Sequence, residues 1–190
     1  YRLDRLRAGL VQHDCAALLL YDPVNIRYAF DSSNMAVWTM HDAARYAPIL
    51  ADGPAFLFGF SAASPGHDGL PGMCKIRVAT SWIYLTAGEL VEERVNAWAD
   101  EIVDILLEMG RNRRLAVDKL EPLGTFALQQ RGIELADGQR ITEHARSIKS
   151  IDELELMRWT IRVCEAGMAR MYEVSEPGRT EQEIWAELHF

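Results

Sequence analysis

At 190 residues the chain can bury a sizeable core, and length alone allows one domain or two. Hydrophobic residues at 49% and charged residues at 25% are ordinary for a globular protein. A net charge of −8 and an isoelectric point near 5.1 repel phosphate backbones and anionic membrane surfaces, so neither nucleic acid nor a membrane is expected as partner.

Leu3, Leu6 and Leu10 recur at helical spacing among Arg2, Asp4, Arg5 and Arg7, which predicts a short amphipathic helix ending at His13-Asp14. Ala16 to Tyr21 is a continuous apolar run, the pattern of a strand buried on both faces, and Asp22-Pro23 breaks it. Val24 to Phe30 reads as one or two turns of helix. Arg45 to Leu50 and Pro54 to Phe60 are strand-like runs joined by Asp52-Gly53, a hairpin signal, and Pro48 places the first of them toward an edge or a bulge. Residues 61–72, rich in Gly, Pro, Ser and Ala, read as an exposed loop. Lys75 to Tyr84 reads as another strand.

Val91, Val95, Trp98, Ile102, Leu106 and Met109 form the apolar stripe of a helix stopped by Gly110. The one basic cluster, Arg111-Asn112-Arg113-Arg114, comes after it as a solvated turn. Leu115 to Val117 is a short strand. A helix from Pro122 buries Leu123 and Phe126 and stops near Gly132, and Ile133 to Ala136 is a strand turning at Asp137-Gly138. Strands alternating with helices predict an α/β fold, and the Asp-Gly hairpin makes its sheet mixed, with helices flanking it.

From Ser150 the pattern changes. Ser150 with Glu153 is a capping box, and Leu154, Met157, Ile161, Cys164, Met168 and Met171 then lie on one helix face. Pro177-Gly178 stops that helix, and Thr180 with Glu183 opens a second capping box ahead of Ile184, Trp185 and Leu188. A domain boundary is expected between Gly138 and Ser150. The last helix is cut short and no initiator Met is present, so a fragment of a longer protein is expected, its apolar stripe exposed or covered by another copy.

Little in the chain reads as catalytic. His13, His41, His67, His144 and His189 are scattered, H-E-x-x-H is absent, and no metal set is expected within the 190 residues. Cys15, Cys74 and Cys164 lack C-x-x-C spacing, which argues against disulfides or structural zinc and for a cytoplasmic location; Tyr1-Arg2-Leu3-Asp4 does not begin a signal peptide. Gly59-Phe60-Ser61-Ala62-Ala63 lacks the second glycine of a nucleophile elbow, and Gly66, Gly69 and Gly72 do not fit a dinucleotide fingerprint. The densest ligand-binding chemistry lies between Tyr21 and Tyr46. Arg45 can pair with a carboxylate bidentately or with a local one such as Asp42. Trp38 can cover a cation or an apolar ring or serve the core, and His41 and Asn34 lie beside it in sequence.

The run I-K-S-x-x-E-L-x-x-M-R from Ile148, then E-P-G-x-T-E-x-E-I from Glu176, resembles the entry into the catalytic domain of creatinase/prolidase-type proteins, the pita-bread metallohydrolases. Asn25-Ile26-Arg27-Tyr28 resembles the N-I-x-Y segment of their N-terminal domains. The resemblance implies a creatinase-like N-terminal domain over residues 1–142 and the beginning of a pita-bread domain over 143–190. It implies a non-catalytic part, serving dimerisation and substrate access, of a hydrolase such as an Xaa-Pro aminopeptidase, dipeptidase or creatinase-like amidinohydrolase. Two divalent metal ions are implied for the complete enzyme, with all five ligands downstream of this chain, and so is a small-molecule or short-peptide substrate. A homodimer is implied as well, in which Trp38, His41 and Arg45 make substrate contacts in trans, while Asn25 and Tyr28 hold the turn after the strand. Many prolidases read N-I-x-Y-L-T-G-F where this chain has Asn25 to Ser32, and the Y-D-P-V-N-I-R-Y and S-N-M segments look more like the dimethylsulfoniopropionate lyases of the same fold. A lyase, or a non-enzymatic dimerisation module, is the alternative expectation.

Overall fold

The computed structural model describes residues 1–32, 44–60, 74–108 and 112–189. The expected loop at 61–72 and the helix stop at Met109-Gly110 lie outside them. Two compact units divide at Ser147 and Ile148. Residues 143–147 therefore continue a helix of the first unit.

Leu6 and Leu10, one turn apart, are fully buried on the inner face of α1 (Arg2–Gln12). The next apolar run becomes β1 (Ala17–Leu20), buried at every position. Asp22 then caps α2 (Pro23–Phe30): its carboxylate accepts from the Val24 and Asn25 amides, and Pro23 sits in the first turn, where no intrahelical amide is needed. The ambiguous segment thus forms an eight-residue helix. It ends at Asp31, which adopts a left-handed φ of 54°.

β2 (Ala47–Leu50) and β3 (Ala55–Gly59) are antiparallel, as the Asp52-Gly53 signal predicts. Pro48 is not at an edge, however, because β2 lies between β1 and β3. Tyr46 and Leu50 donate to the carbonyls of Phe58 and Pro54, so an amide at 48 would point at the same strand. The ladder simply skips that position. β4 (Cys74–Val78) is shorter than predicted. After the Ala79 amide bonds to Gly59 the chain leaves the sheet, and Tyr84 begins a short helix, α3 (Tyr84–Ala87), succeeded by a turn of 3₁₀ helix at Gly88–Leu90.

α4 (Val91–Leu107) buries the predicted Val95, Trp98, Ile102 and Leu106. β5 (Arg114–Val117) leads to α5 (Pro122–Gln130), where one expectation fails: Leu123 and Phe126 are 47% and 58% exposed. The inner face of α5 is instead Gly124, Ala127 and Leu128. A Cβ on Gly124 would sit 3.0 Å from the Trp82 ring, so the small residue is what lets helix and indole meet. β6 (Glu134–Asp137) passes directly into α6 (Gly138–Ser147), a helix that the turn reading of Asp137-Gly138 does not anticipate. Asp137 caps it through the Gln139 and Arg140 amides.

The six strands form one mixed sheet in the order β4-β3-β2-β1-β5-β6. β1, β5 and β6 are mutually parallel, β3 is parallel to β4, and β2 alone runs the other way. Leu18 and Leu20 join Leu6, Leu10, Ile26, Phe30 and Ile141 on one face, whereas Leu19 and Tyr21 join Trp98, Ile102 and Leu128 on the other. The first unit is therefore a mixed sheet between two helical layers, the expected class.

In the second unit, α7 (Ile151–Val174) has the predicted capping box, with Glu153 donating its amide to Ser150 Oγ and accepting from the Ser150 amide. α8 (Glu181–Ala186) has the second, between Thr180 and Glu183. Leu154, Met157, Ile161 and Met168 remain 39–64% exposed, the outcome expected of the stripe. Among the described residues no helix is long and apolar enough to cross a membrane.

The tightest backbone approach is at Gly138, where a Cβ would lie 2.6–2.8 Å from the Val117 backbone. Gly138→Ala is expected to lower unfolding stability by about 2 kcal/mol in urea titrations, because main chain rather than a flexible side chain must move.

Candidate functional site at the carboxyl edge of the sheet

Five of the six strands point their carboxyl ends to one edge, the place where open α/β sheets bind ligands. Four of the five polar side chains buried among the described residues, Asn25, Ser32, Arg45 and Asp118, lie on segments that meet there. Asp118, one residue past β5, accepts from the Tyr21 amide at 2.8 Å, the Asp22 amide at 3.2 Å and Asn25 Nδ2 at 2.9 Å. Asn25 Oδ1 in turn accepts from Arg146 Nη1 of α6. Burial nonetheless raises the Asp118 pKa above its ordinary value, outweighing the three hydrogen bonds and aided by the nearby Asp22 charge.

Ser32 and Arg45 stand on either side of residues 33–43 in the chain. Both are buried, at 1% and 4% exposure, and Arg45 Nη2 donates to Ser32 Oγ at 2.6 Å. Arg45 Nη1 is buried with no hydrogen-bond partner among the described residues. No carboxylate among the described residues forms an ion pair with this guanidinium, and burial lowers its pKa. Behind this edge Tyr46 stacks on Phe58 at 4.5 Å between centroids, and Trp82 and Trp98 lie 5.2 Å apart. The Tyr21 hydroxyl and both indole N–H groups are buried together there.

Of the predicted site residues, Arg45 is thus placed at the sheet edge and locked to Ser32. Trp38 and His41, with Asn34 and Asp42, lie outside the described residues. Asn25 is buried and bridges Asp118 to Arg146, and the Tyr28 hydroxyl donates to the Ala145 carbonyl at 3.0 Å, both in the fold-holding roles the sequence assigns them. The sequence pattern does not single out Ser32 or Asp118. Asp118 had a signal, a lone carboxylate directly after an apolar strand in an α/β pattern. Ser32 had none beyond its place in the polar stretch. Among the described residues no three His, Cys, Asp or Glu side chains come together as metal ligands. A recess of about 750 Å³, lined by Trp82, Tyr84, Glu89, Glu92, Glu121 and Leu123, has no Ser, Cys or His in its lining.

This arrangement is that of a known fold. No protein-family model matches the chain. A prolidase from Thermococcus sibiricus superposes with a TM-score of 0.69 at 15% identity, covering 98% of this chain and 47% of that one. An Xaa-Pro dipeptidase from Bacillus anthracis does so with a TM-score of 0.66 at 17% identity, over 98% and 46%. In sequence the chain is 33% identical over 195 aligned positions to the dimethylsulfoniopropionate lyase DddP of Roseovarius nubinhibens and 34% identical to that of Roseobacter denitrificans. Both alignments cover all of this chain and 44% of the relative, so the chain spans less than half the length of the curated relatives it matches. The chain shares the fold of these prolidase-type structures and aligns with the N-terminal part of the two curated lyases.

The raised pKa of Asp118 gives a pH test. The folded state holds this proton more tightly than the unfolded state, so the stabilisation is complete below the ordinary value of 3.8 and is lost as pH rises through the folded value. Asp118→Asn removes that dependence. Urea unfolding of both proteins over about pH 3.5 to 7 is expected to show wild type losing ground to the variant as pH rises, on top of a constant offset for the lost acceptor.

Proposed function

We propose that the chain is the N-terminal, substrate-access and dimerisation part of a pita-bread lyase that cleaves dimethylsulfoniopropionate or a closely similar sulfonium carboxylate. The observation that carries this reading is the 33–34% identity to two such lyases over the whole chain. The likeness to prolidases, at 15–17% identity, supports the fold alone. That difference shifts the hydrolase expectation to the lyase.

The chemistry of Arg45 and of its neighbours in sequence suits such a substrate. A sulfonium carboxylate has an anion at one end and a cation at the other. Arg45 supplies the positive charge for the first, and the π face of Trp38 suits the second. Cleavage is an elimination: a base takes the proton beside the carboxylate, that electron pair forms the carbon–carbon double bond, and the carbon–sulfur pair leaves with dimethyl sulfide. Acrylate and one proton complete the balance. The base and the ligands of two divalent ions would lie in the rest of the protein, and the ions would serve there to position the substrate. In a homodimer, Trp38, His41 and Arg45 of one copy would reach the other's active site. The exposed apolar side chains of α7 support the presence of further structure packed on it.

The test is an assay of the complete protein for dimethyl sulfide release and for Xaa-Pro dipeptide hydrolysis. Release of dimethyl sulfide with no dipeptide cleavage is the expected result. Dipeptide cleavage alone would restore the hydrolase reading, and neither activity would leave a binding module. Arg45→Ala is expected to lower kcat/KM for the sulfonium substrate by roughly 10- to 100-fold, the range for losing a charge-assisted contact.

A further inference from the structure

We propose that Asp118, Asn25 and Arg146 form an acid-sensitive latch, which holds the last turn of α6 on α2 while the carboxylate is charged and releases it when that carboxylate takes a proton. The latch does not depend on which substrate the complete protein takes.

Each hydrogen bond recorded on the Asp118 carboxylate comes from a donor: the Tyr21 amide at 2.8 Å, the Asp22 amide at 3.2 Å and Asn25 Nδ2 at 2.9 Å. The first two are main chain and cannot turn round. Asn25 can, because its planar amide has a carbonyl on one side and an NH2 of similar size on the other. With Asp118 charged, Nδ2 faces the carboxylate and Oδ1 accepts from Arg146 Nη1. Protonation puts an O–H among donors, and a flip of the Asn25 amide brings Oδ1 to the 2.9 Å position to receive it. The same flip turns Nδ2 toward the guanidinium, donor against donor, and Arg146 loses the contact. Asn25 is 4% and Asp118 9% exposed, so bulk water does not take over either role.

The charged and titrating groups around the node act in both directions. Asp22 at the cap of α2 and the Tyr21 hydroxyl favour the proton, and Arg146 on α6 opposes it. Lys119 adjoins Asp118 in sequence, and Asp137, at the end of β6, caps the far end of α6. Burial tips the balance toward protonation and brings release closer to neutral pH. The Ala145 carbonyl is held separately, by Arg5 Nε at 2.7 Å and the Tyr28 hydroxyl at 3.0 Å, so release loosens the turn without detaching it. Ile148, two residues beyond Arg146, begins the second compact unit, and the latch therefore acts on the turn that leads out of the first.

The test is hydrogen exchange in the complete protein, read by mass spectrometry on peptides covering residues 141–150 and corrected for the intrinsic pH dependence of exchange. From about pH 7 to about pH 4 the protection of these amides is expected to fall roughly tenfold, the scale of one charge-assisted hydrogen bond. The contribution of Asp118 to global stability rises over the same interval, so its effect through global unfolding would have the opposite sign. Asp118→Asn, a neutral amide that imitates the protonated acid, should show the low protection at every pH. Arg146→Met should show it as well while keeping the carboxylate and its three donors, which covers the case in which Asp118→Asn does not fold. His144 lies on the same turn, and the fall should persist in His144→Gln. Constant protection in wild type, a fall of the same size in Arg146→Met, or loss of the fall in His144→Gln would overturn the latch.

Discussion

The carboxyl edge of this sheet depends on one buried carboxylate. Asp118 gathers the Tyr21 and Asp22 amides and the Asn25 side chain, three donors that leave β1 and enter α2. Without an acceptor there, those amides would be orphaned at the point where the strand stops and the helix has not begun. A neutral side chain could satisfy one or two of them. A carboxylate can accept from all three, and its cost is the desolvation that raises its pKa. Arg146 completes the node by bonding Asn25, which ties the last turn of α6 to the first turn of α2. One polar cluster therefore fixes β1, β5, α2 and α6 at the same corner.

Arg45, on the same edge, is the contrasting case. Asp118 is buried and fully engaged, whereas Arg45 is buried and half engaged. Both groups lose solvation energy on burial; three described donors offset part of that loss at Asp118, and one hydroxyl does so at Arg45. The difference separates a buried charge that organises a corner of the fold from one whose second terminal nitrogen has no partner among the described residues.

The fold was legible where packing on both sides dictates residue type. Ala16 to Tyr21 has no polar face to offer, and the Val95, Trp98, Ile102 stripe admits only a helix against a sheet. What the sequence concealed depended on partners far along the chain. Pro48 reads as an edge residue because proline lacks a donor, yet one missing rung is tolerated inside the sheet when its neighbours bond. Leu123 and Phe126 read as core by size, but the space over Trp82 admits only Gly124. Asp137-Gly138 reads as a turn until Asp137 is seen capping α6, whose inner face is Gly138, Ile141, Thr142 and Ala145. At the site, residue type alone selected Arg45. That it should be locked by Ser32 required knowing that the end of α2 and the start of β2 meet.

The departure from the prolidase pattern then has a physical meaning. The glycine of N-I-x-Y-L-T-G-F falls at Asp31 here, and Asp31 adopts the left-handed φ of 54° that a glycine would take without cost. Aspartate is among the few other residues that tolerate this region, and its carboxylate faces Arg2 at 3.5 Å. Asp31 thus makes the kind of turn that a glycine favours while bringing a different side chain to it. This explains how a chain 15–17% identical to prolidases keeps their fold and yet aligns in sequence with enzymes named for a different substrate. Fold and turn geometry are indifferent to the reaction. Side chains just beyond the turn are free to carry the chemistry, and there this chain places a serine hydroxyl against a buried arginine.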